Sequence, residues 1–280
     1  MILSGYDIDI LDLNLLVQQC RSTLEIVRLN LKINYIIDGR ILESWINNML
    51  LKQLSFYFFC YSIDQTILIN NRNDFLSSFQ TQPVMFFTNS FYQTCTIISP
   101  AYVCDKFNCS LTNEFLNYEV NYQFEQLTMP RIKRIFLNDR QQPIYTRKFF
   151  QLIKSIFLNL KILEIDSSFH LIDDLHLELP TVRTLIIITN EDPLNIQYLL
   201  KSLPNITRLV IDYDLFVSSP NNLHFSLQEI LIHFKPNQHI QLTDDFKDQI
   251  KLVCGHAKLL FLNNVKIFVL YDSLSLLHRN

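Results

Sequence analysis

Residues 203–216, "LPNITRLVIDYDLF", carry the pattern from which the fold is read. Ile206, Leu209 and Ile211 stand there at positions one, four and six of an L-x-x-L-x-L template, directly after a Leu-Pro step. In extended chain, side chains alternate between faces, so positions four and six share one face and positions three, five and seven the other. The same wording returns in "LPTVRTLIII" (179–188), with Val182, Leu185 and Ile187. Further copies are Ile132–Ile135–Leu137, Leu160–Leu163–Ile165 and Leu227–Ile230–Ile232, with a weaker Ala257–Leu260–Leu262. Upstream lie Leu24–Val27–Leu29 and Leu51–Leu54–Phe56. From residue 132 onward the copies start 28, 22, 24, 21 and 30 residues apart, close to the period of roughly 20–29 residues of leucine-rich repeats.

The segments between copies have helical period. In "PLNIQYLLKSLP" (193–204), Ile196, Leu199, Leu200 and Leu203 form one apolar stripe closed by Pro204. "TDDFKDQIKLVCGH" (243–256) opens on Thr243 with an acidic first turn and stops at Gly255, and "IDGRILESWINNML" (37–50) and "IYTRKFFQLIKSIFL" (144–158) read as helices too. A strand–turn–helix unit cannot bury its apolar face alone, so its copies stack. The expected fold is α/β: a leucine-rich-repeat-like curved solenoid with a mainly parallel sheet, formed by residues 1–280 as a single domain. Residues 64–130 leave the register and are expected as an irregular, β-rich aromatic insertion. Two or three of its strands are expected in "FQTQPVMFFTNSFYQTCTIISPAYVC" (79–104), and "CDKFNCSLTNEFLNYEVN" (104–121) reads as loop with one short element.

Composition narrows the function. With 49% hydrophobic and 18% charged residues the chain is too apolar for wholesale disorder. A formal net charge of −3 lacks the basic excess of a nucleic-acid binder. Apolar runs are strand-sized, so no membrane partner is expected. Asp7, Asp9 and Asp12 stand where a secretory signal would carry basic residues. The expected location is therefore intracellular, cytoplasmic or nuclear. Disulfides among the six scattered cysteines are not expected there.

Motifs for chemistry are missing. Three isolated glycines, Gly5, Gly39 and Gly255, exclude the phosphate-cradling loops and the nucleophile elbow. Cys104 and Cys109, with Cys95 nearby, lack the second ligand pair that zinc sites show. His176-Leu177-Glu178 lacks the cysteine pair of zinc deaminases, and Pro236 separates His233 from His239. Asp173–Asp174 and Asp244–Asp245 have no nucleophile beside them. No cofactor, metal or catalytic residue is expected, and the chain is read as non-enzymatic.

The outward strand positions remain. The fifth position is occupied by Phe136, Glu164, Ile186, Val210 and Leu231. Arg134, Asp166, Arg208, Asp212, Glu229 and His233 flank them at the third and seventh. A largely apolar ladder rimmed by charges is expected to be the partner-binding, concave face, with a protein as partner. The other reading is that another part of the chain covers it.

"CRSTLEIVRLNLKINYIIDGRILESWINNMLLKQLSFYF" (20–58), "LSSFQT" (76–81), "LPTVRTLIII" and "LPNITRLVIDYDLF" together resemble the leucine-rich-repeat region of F-box domain-containing proteins. The resemblance implies a repeat domain that binds a substrate for ubiquitin ligation, beside an F-box that binds a Skp1-type adaptor. The F-box wording itself is absent from these residues, so direct adaptor binding is not expected. A stand-alone repeat scaffold and an α/β enzyme of unrecognised type stay open as alternatives.

Overall fold

The computed structural model describes residues 2–6, 8–19, 25–37, 39–47, 53–61, 72–80, 83–89, 93–99, 106–120, 128–138, 144–166, 170–171, 179–188, 199–200, 202–218, 227–233, 258–263 and 266–270. The architecture is α/β, with parallel and mixed sheets and short helices. The chain divides into two compact units. The first comprises residues 1–105, 112–132 and 155–158; the second comprises 106–111, 133–154 and 159–280.

In the first unit, strands β1 (Ile2–Tyr6), β2 (Ile26–Ile33) and β3 (Gln53–Cys60) pair in parallel in chain order. Helices α1 (Ile10–Gln19) and α2 (Gly39–Asn47) make the returns between them. The alternation Val27, Leu29, Leu31, Ile33 turns one face of β2 into the core, beside Leu54, Phe56, Phe58 and Cys60 of β3. Then the direction reverses. β4 (Met85–Asn89) and β5 (Thr94–Ile98) form an antiparallel hairpin whose β5 pairs with β3. Phe75 and Phe79, contributed by helix α3 (Arg72–Ser77) and its end, pack against this core, with Phe79 stacked on Phe56.

The second unit is built on one long sheet. Its strands are β6 (Lys106–Leu111), β8 (Arg134–Leu137), β10 (Ile162–Asp166), β12 (Thr184–Ile188), β13 (Arg208–Asp212), β14 (Glu229–His233), β15 (Lys258–Asn263) and β16 (Lys266–Leu270). The first seven are parallel neighbours in the order of the chain, and β16 closes the sheet antiparallel to β15. β7 (Glu119–Val120) belongs instead to the first unit, against β4. β9 (Ile144–Tyr145) and β11 (His170–Leu171) form a separate parallel pair. Helix α4 (Arg147–Ile156) returns the chain from β9 to β10, and α5 (Tyr213–Ser218) follows β13 directly.

One backbone pattern repeats at the four lateral steps from β8 to β14. The carbonyl at template position two accepts two N–H groups of the next copy: Lys133 from Lys161 and Ile162, Lys161 from Arg183 and Thr184. Arg183 does so for Thr207 and Arg208, and Thr207 for Gln228 and Glu229. The prolines share one phase as well. Met129-Pro130, Leu179-Pro180 and Leu203-Pro204 each open a turn closed by an N–H from Ile132, Val182 and Ile206. Proline's fixed φ suits the second position of such a turn. Positions four and six are fully buried in the rows Ile135–Leu163–Leu185–Leu209–Ile230 and Leu137–Ile165–Ile187–Ile211–Ile232.

Four expectations need correction. The recurring strands are divided between two sheets, with the copies at residues 24–29 and 51–56 in the first unit. The stretch 64–130 is likewise divided: β4, β5 and β7 belong to the first sheet, whereas β6 is the first strand of the second. The stretch 104–121, read as loop with one short element, holds three: β6, a 3-10 turn at Asn113–Asn117 and β7. In the weak copy near residue 257 the register is one residue off: Leu259 and Phe261 continue the rows of Ile230 and Ile232. Helix α2 begins at Gly39, and α4 lies inside its expected segment. The helix expected at 243–256 lies outside the described residues.

Two local features generate tests. Gly39 donates its N–H to Ser78 Oγ at 2.7 Å, and a Cβ at Gly39 would sit 2.3 Å from the Ser78 backbone carbonyl. Overpacking at such a contact costs about 3 kcal/mol, so Gly39→Ala should lower the urea midpoint correspondingly. Tyr35 donates its hydroxyl to the Ile8 carbonyl, and burial, then the charges of Asp9 and Cys60, push its phenol up to about 12. Its unfolded value is about 10, so the fold prefers the neutral phenol. That contribution is full below pH of about 10 and is lost as pH rises towards 12. Denaturation at pH 9 and 11 should show a smaller loss of stability in Tyr35→Phe than in the unaltered chain.

Candidate protein-binding face

The outward positions of the second unit's sheet are aligned by the same register that aligns its interior. At the fifth position Phe136, Glu164, Ile186, Val210 and Leu231 are successive Cα partners, forming one row across five strands. At the third position Arg134, Ile162, Thr184, Arg208 and Glu229 form a second row. At the seventh, Asp212 lies beside His233, and Asp166 beside Ile188. Sequence reasoning chose only charged residues for the flanks and so missed Ile162 and Thr184, although both occupy the same template position as Arg134 and Arg208.

Burial divides the row in two. Phe136, Ile186, Val210 and Leu231 are half-buried. They are supported laterally by their neighbours on the sheet and open towards solvent. Glu164 is buried despite standing in the same row. Arg134 explains this: its Nε and Nη2 both donate to Glu164 Oε2, at 2.9 and 2.7 Å. A carboxylate this far from water requires such a charge-assisted partner.

The other charges are also paired between neighbouring strands. Arg208 Nε lies 2.9 Å from Glu229 Oε2, with Arg208 the more exposed of the two. Asp212, nearly buried, meets His233 Nδ1 at 3.5 Å. Asp166 accepts from Asn138 Nδ2 at 2.9 Å. These side chains therefore stand as cross-strand pairs, each bridging adjacent copies of the repeat. An apolar centre, Ile186–Val210–Leu231, lies in the fifth-position row between Arg208 and Glu229 of the third position and Asp212 and His233 of the seventh.

Among the described residues, no three or more His, Cys, Asp or Glu side chains gather to hold a metal ion. No helix among them is long and apolar enough to cross a membrane. His176, His239, Cys104, Asp173–Asp174 and Asp244–Asp245 lie outside the described residues. Compared with models of protein families, with curated proteins and with solved structures, the chain matches none.

The two arginine pairs should differ in weight. Removing Arg134 strands a carboxylate whose side chain is only 11% exposed, whereas Glu229 is 28% exposed beside an Arg208 at 45%. Arg134→Met is expected to cost about 2 kcal/mol, the penalty of leaving a largely buried acceptor without its donor. Arg208→Met is expected to cost less than about 1 kcal/mol, as solvent-exposed pairs do. Equal effects in urea denaturation would contradict this account of Glu164.

Proposed function

We propose that the chain is a protein-binding repeat module, and that its partner lies against the outward rows of the second unit's sheet. In this reading the parallel strands form a leucine-rich-repeat-like curved solenoid, with Ile186, Val210 and Leu231 at the centre of its concave face. The supporting observation is their alignment: three half-buried apolar side chains in one row, flanked by Arg208–Glu229 and Asp212–His233. Apolar centres with polar rims are the usual anatomy of protein interfaces.

The resemblance to the repeat region of F-box domain-containing proteins gives this module a role: the substrate-recognition part of an F-box-type ubiquitin-ligase receptor. The scaffold reading differs in one consequence. If the bound protein is a ligase substrate, its cellular level should rise when this chain is depleted; a scaffold's partner should stay constant. The non-enzymatic reading is retained because the charged groups on the face serve one another in pairs and have no nucleophile among them.

The pairing also sets the expected thermodynamics. Arg208 and Glu229 already neutralise one another across neighbouring strands and add little long-range steering, so binding should rest on apolar contact and change little with salt. Val210→Asp combined with Leu231→Lys places charges in the apolar row without touching the buried rows. This variant is expected to lose its partner by at least about tenfold in affinity while keeping its circular-dichroism spectrum. Loss of the spectrum would show that these side chains belong to a covered interior.

A further inference from the structure

Nothing in the sequence couples Cys60 to Cys95, which stand far apart in the chain with an aromatic-rich segment between them. The sheet of the first unit does. β3 and β5 run antiparallel, and Cys60 and Cys95 are direct Cα partners in their register. Both are free thiols, both are buried, and both belong to the same core cluster.

The phase of the ladder gives the separation. Ser99 donates its N–H to the Phe56 carbonyl, so that position is a hydrogen-bonded pair. Stepping two residues along each strand, Phe58–Ile97 and Cys60–Cys95 are hydrogen-bonded positions too. Directly opposed residues at such positions have Cα atoms about 5.5 Å apart, inside the range of roughly 4.4–6.8 Å that a disulfide spans. Their Cβ atoms start about 1 Å too far apart for a relaxed bridge. A bond here requires a small inward movement of the strands and is correspondingly easy to reduce.

We infer that Cys60 and Cys95 form a latent cross-strand dithiol that closes reversibly to a disulfide by exchange with a low-molecular-weight disulfide such as glutathione disulfide. One cysteine loses its proton, and its thiolate attacks a glutathione sulfur, breaking that S–S bond and releasing one glutathione thiolate. The second cysteine, deprotonated in turn, attacks the mixed disulfide at the protein sulfur and releases the other. The protein dithiol is oxidised by two electrons, the glutathione disulfide is reduced by two, and the two protons leave with the glutathione thiols.

The surroundings make this slow and selective. A hydrogen bond with Cys95, and then burial, hold the Cys60 thiol well above its ordinary pKa, so little thiolate is present in the closed core. Exchange therefore waits for local opening. Cys60 is the last residue of β3, and its pairing with Cys95 is the final one in the β3–β5 register, where strand separation is least costly.

The test uses the full chain, equilibrated across buffers of reduced and oxidised glutathione, then alkylated under denaturing conditions and mapped by mass spectrometry without reduction. A Cys60–Cys95 linked peptide is expected to rise from under about a tenth to over about half of the protein across the series, and to disappear again in reduced buffer. The circular-dichroism spectrum should remain unchanged. Full alkylation of both cysteines throughout, or linkage of Cys60 chiefly to another cysteine, overturns the inference. In Cys95→Ala the residual Cys60 should resist modification by glutathione disulfide in the folded state; ready modification there would mean that the closed core gives no protection and would also count against it.

Discussion

Each of the four lateral steps from β8 to β14 in the second unit rests on one carbonyl accepting two backbone donors from the next copy. Lys133, Lys161, Arg183 and Thr207 perform this in turn. Because the accepting atom always sits at template position two, it sets the register of everything that follows. A strand has a side-chain period of two, so a slip of one residue would exchange interior and exterior. The fully buried rows of Leu and Ile and the half-exposed row of Ile186, Val210 and Leu231 are therefore two consequences of one constraint. A face built this way needs no separate device to hold its shape.

Electrostatics follows from the same alignment. Arg134 at template position three reaches diagonally to Glu164 at position five of the next strand, and position three sets Arg208 directly beside Glu229. Position seven does the same for Asp212 and His233. The pairs contribute unequally because their exposure differs. Arg134 compensates a carboxylate that has little access to water, while Arg208 and Glu229 remain largely solvated, where an ion pair adds little to stability. Charges that looked in the sequence like an open rim are thus engaged along the sheet.

Legibility depended on how strongly a residue pattern constrained a face. "RLVID" sets Leu209, Val210 and Ile211 between Arg208 and Asp212 just after the Leu203-Pro204 turn, and its reading as a strand agrees with β13. "KLLFLN" is apolar at four successive positions, so nothing in it says which side faces inward, and the weak copy was placed one residue out of register. In "KFNCSL" two extra residues separate the partners of Arg134 and Phe136, so the buried Phe107 and Leu111 do not stand at the template spacing, and β6 was hidden for that reason. The partition into two sheets was hidden more deeply. Periodicity describes a strand's faces and says nothing of which strand lies beside it; β2, β3 and β13 obey the same template in different sheets.

That last gap has a chemical side. Parallel strands in chain order place equivalent template positions together, so their lateral contacts can be listed from the sequence once the repeat is known. An antiparallel return places residues together by their summed distance from the turn, which the template does not encode. The Arg208–Glu229 pair belongs to the first kind and could be deduced from its phase. The Cys60–Cys95 pair belongs to the second and emerges only when β5 is seen to run back along β3. The change from parallel to antiparallel pairing in the first unit is thus where sequence periodicity stops reporting neighbours, and where two thiols with no shared motif become adjacent in the core.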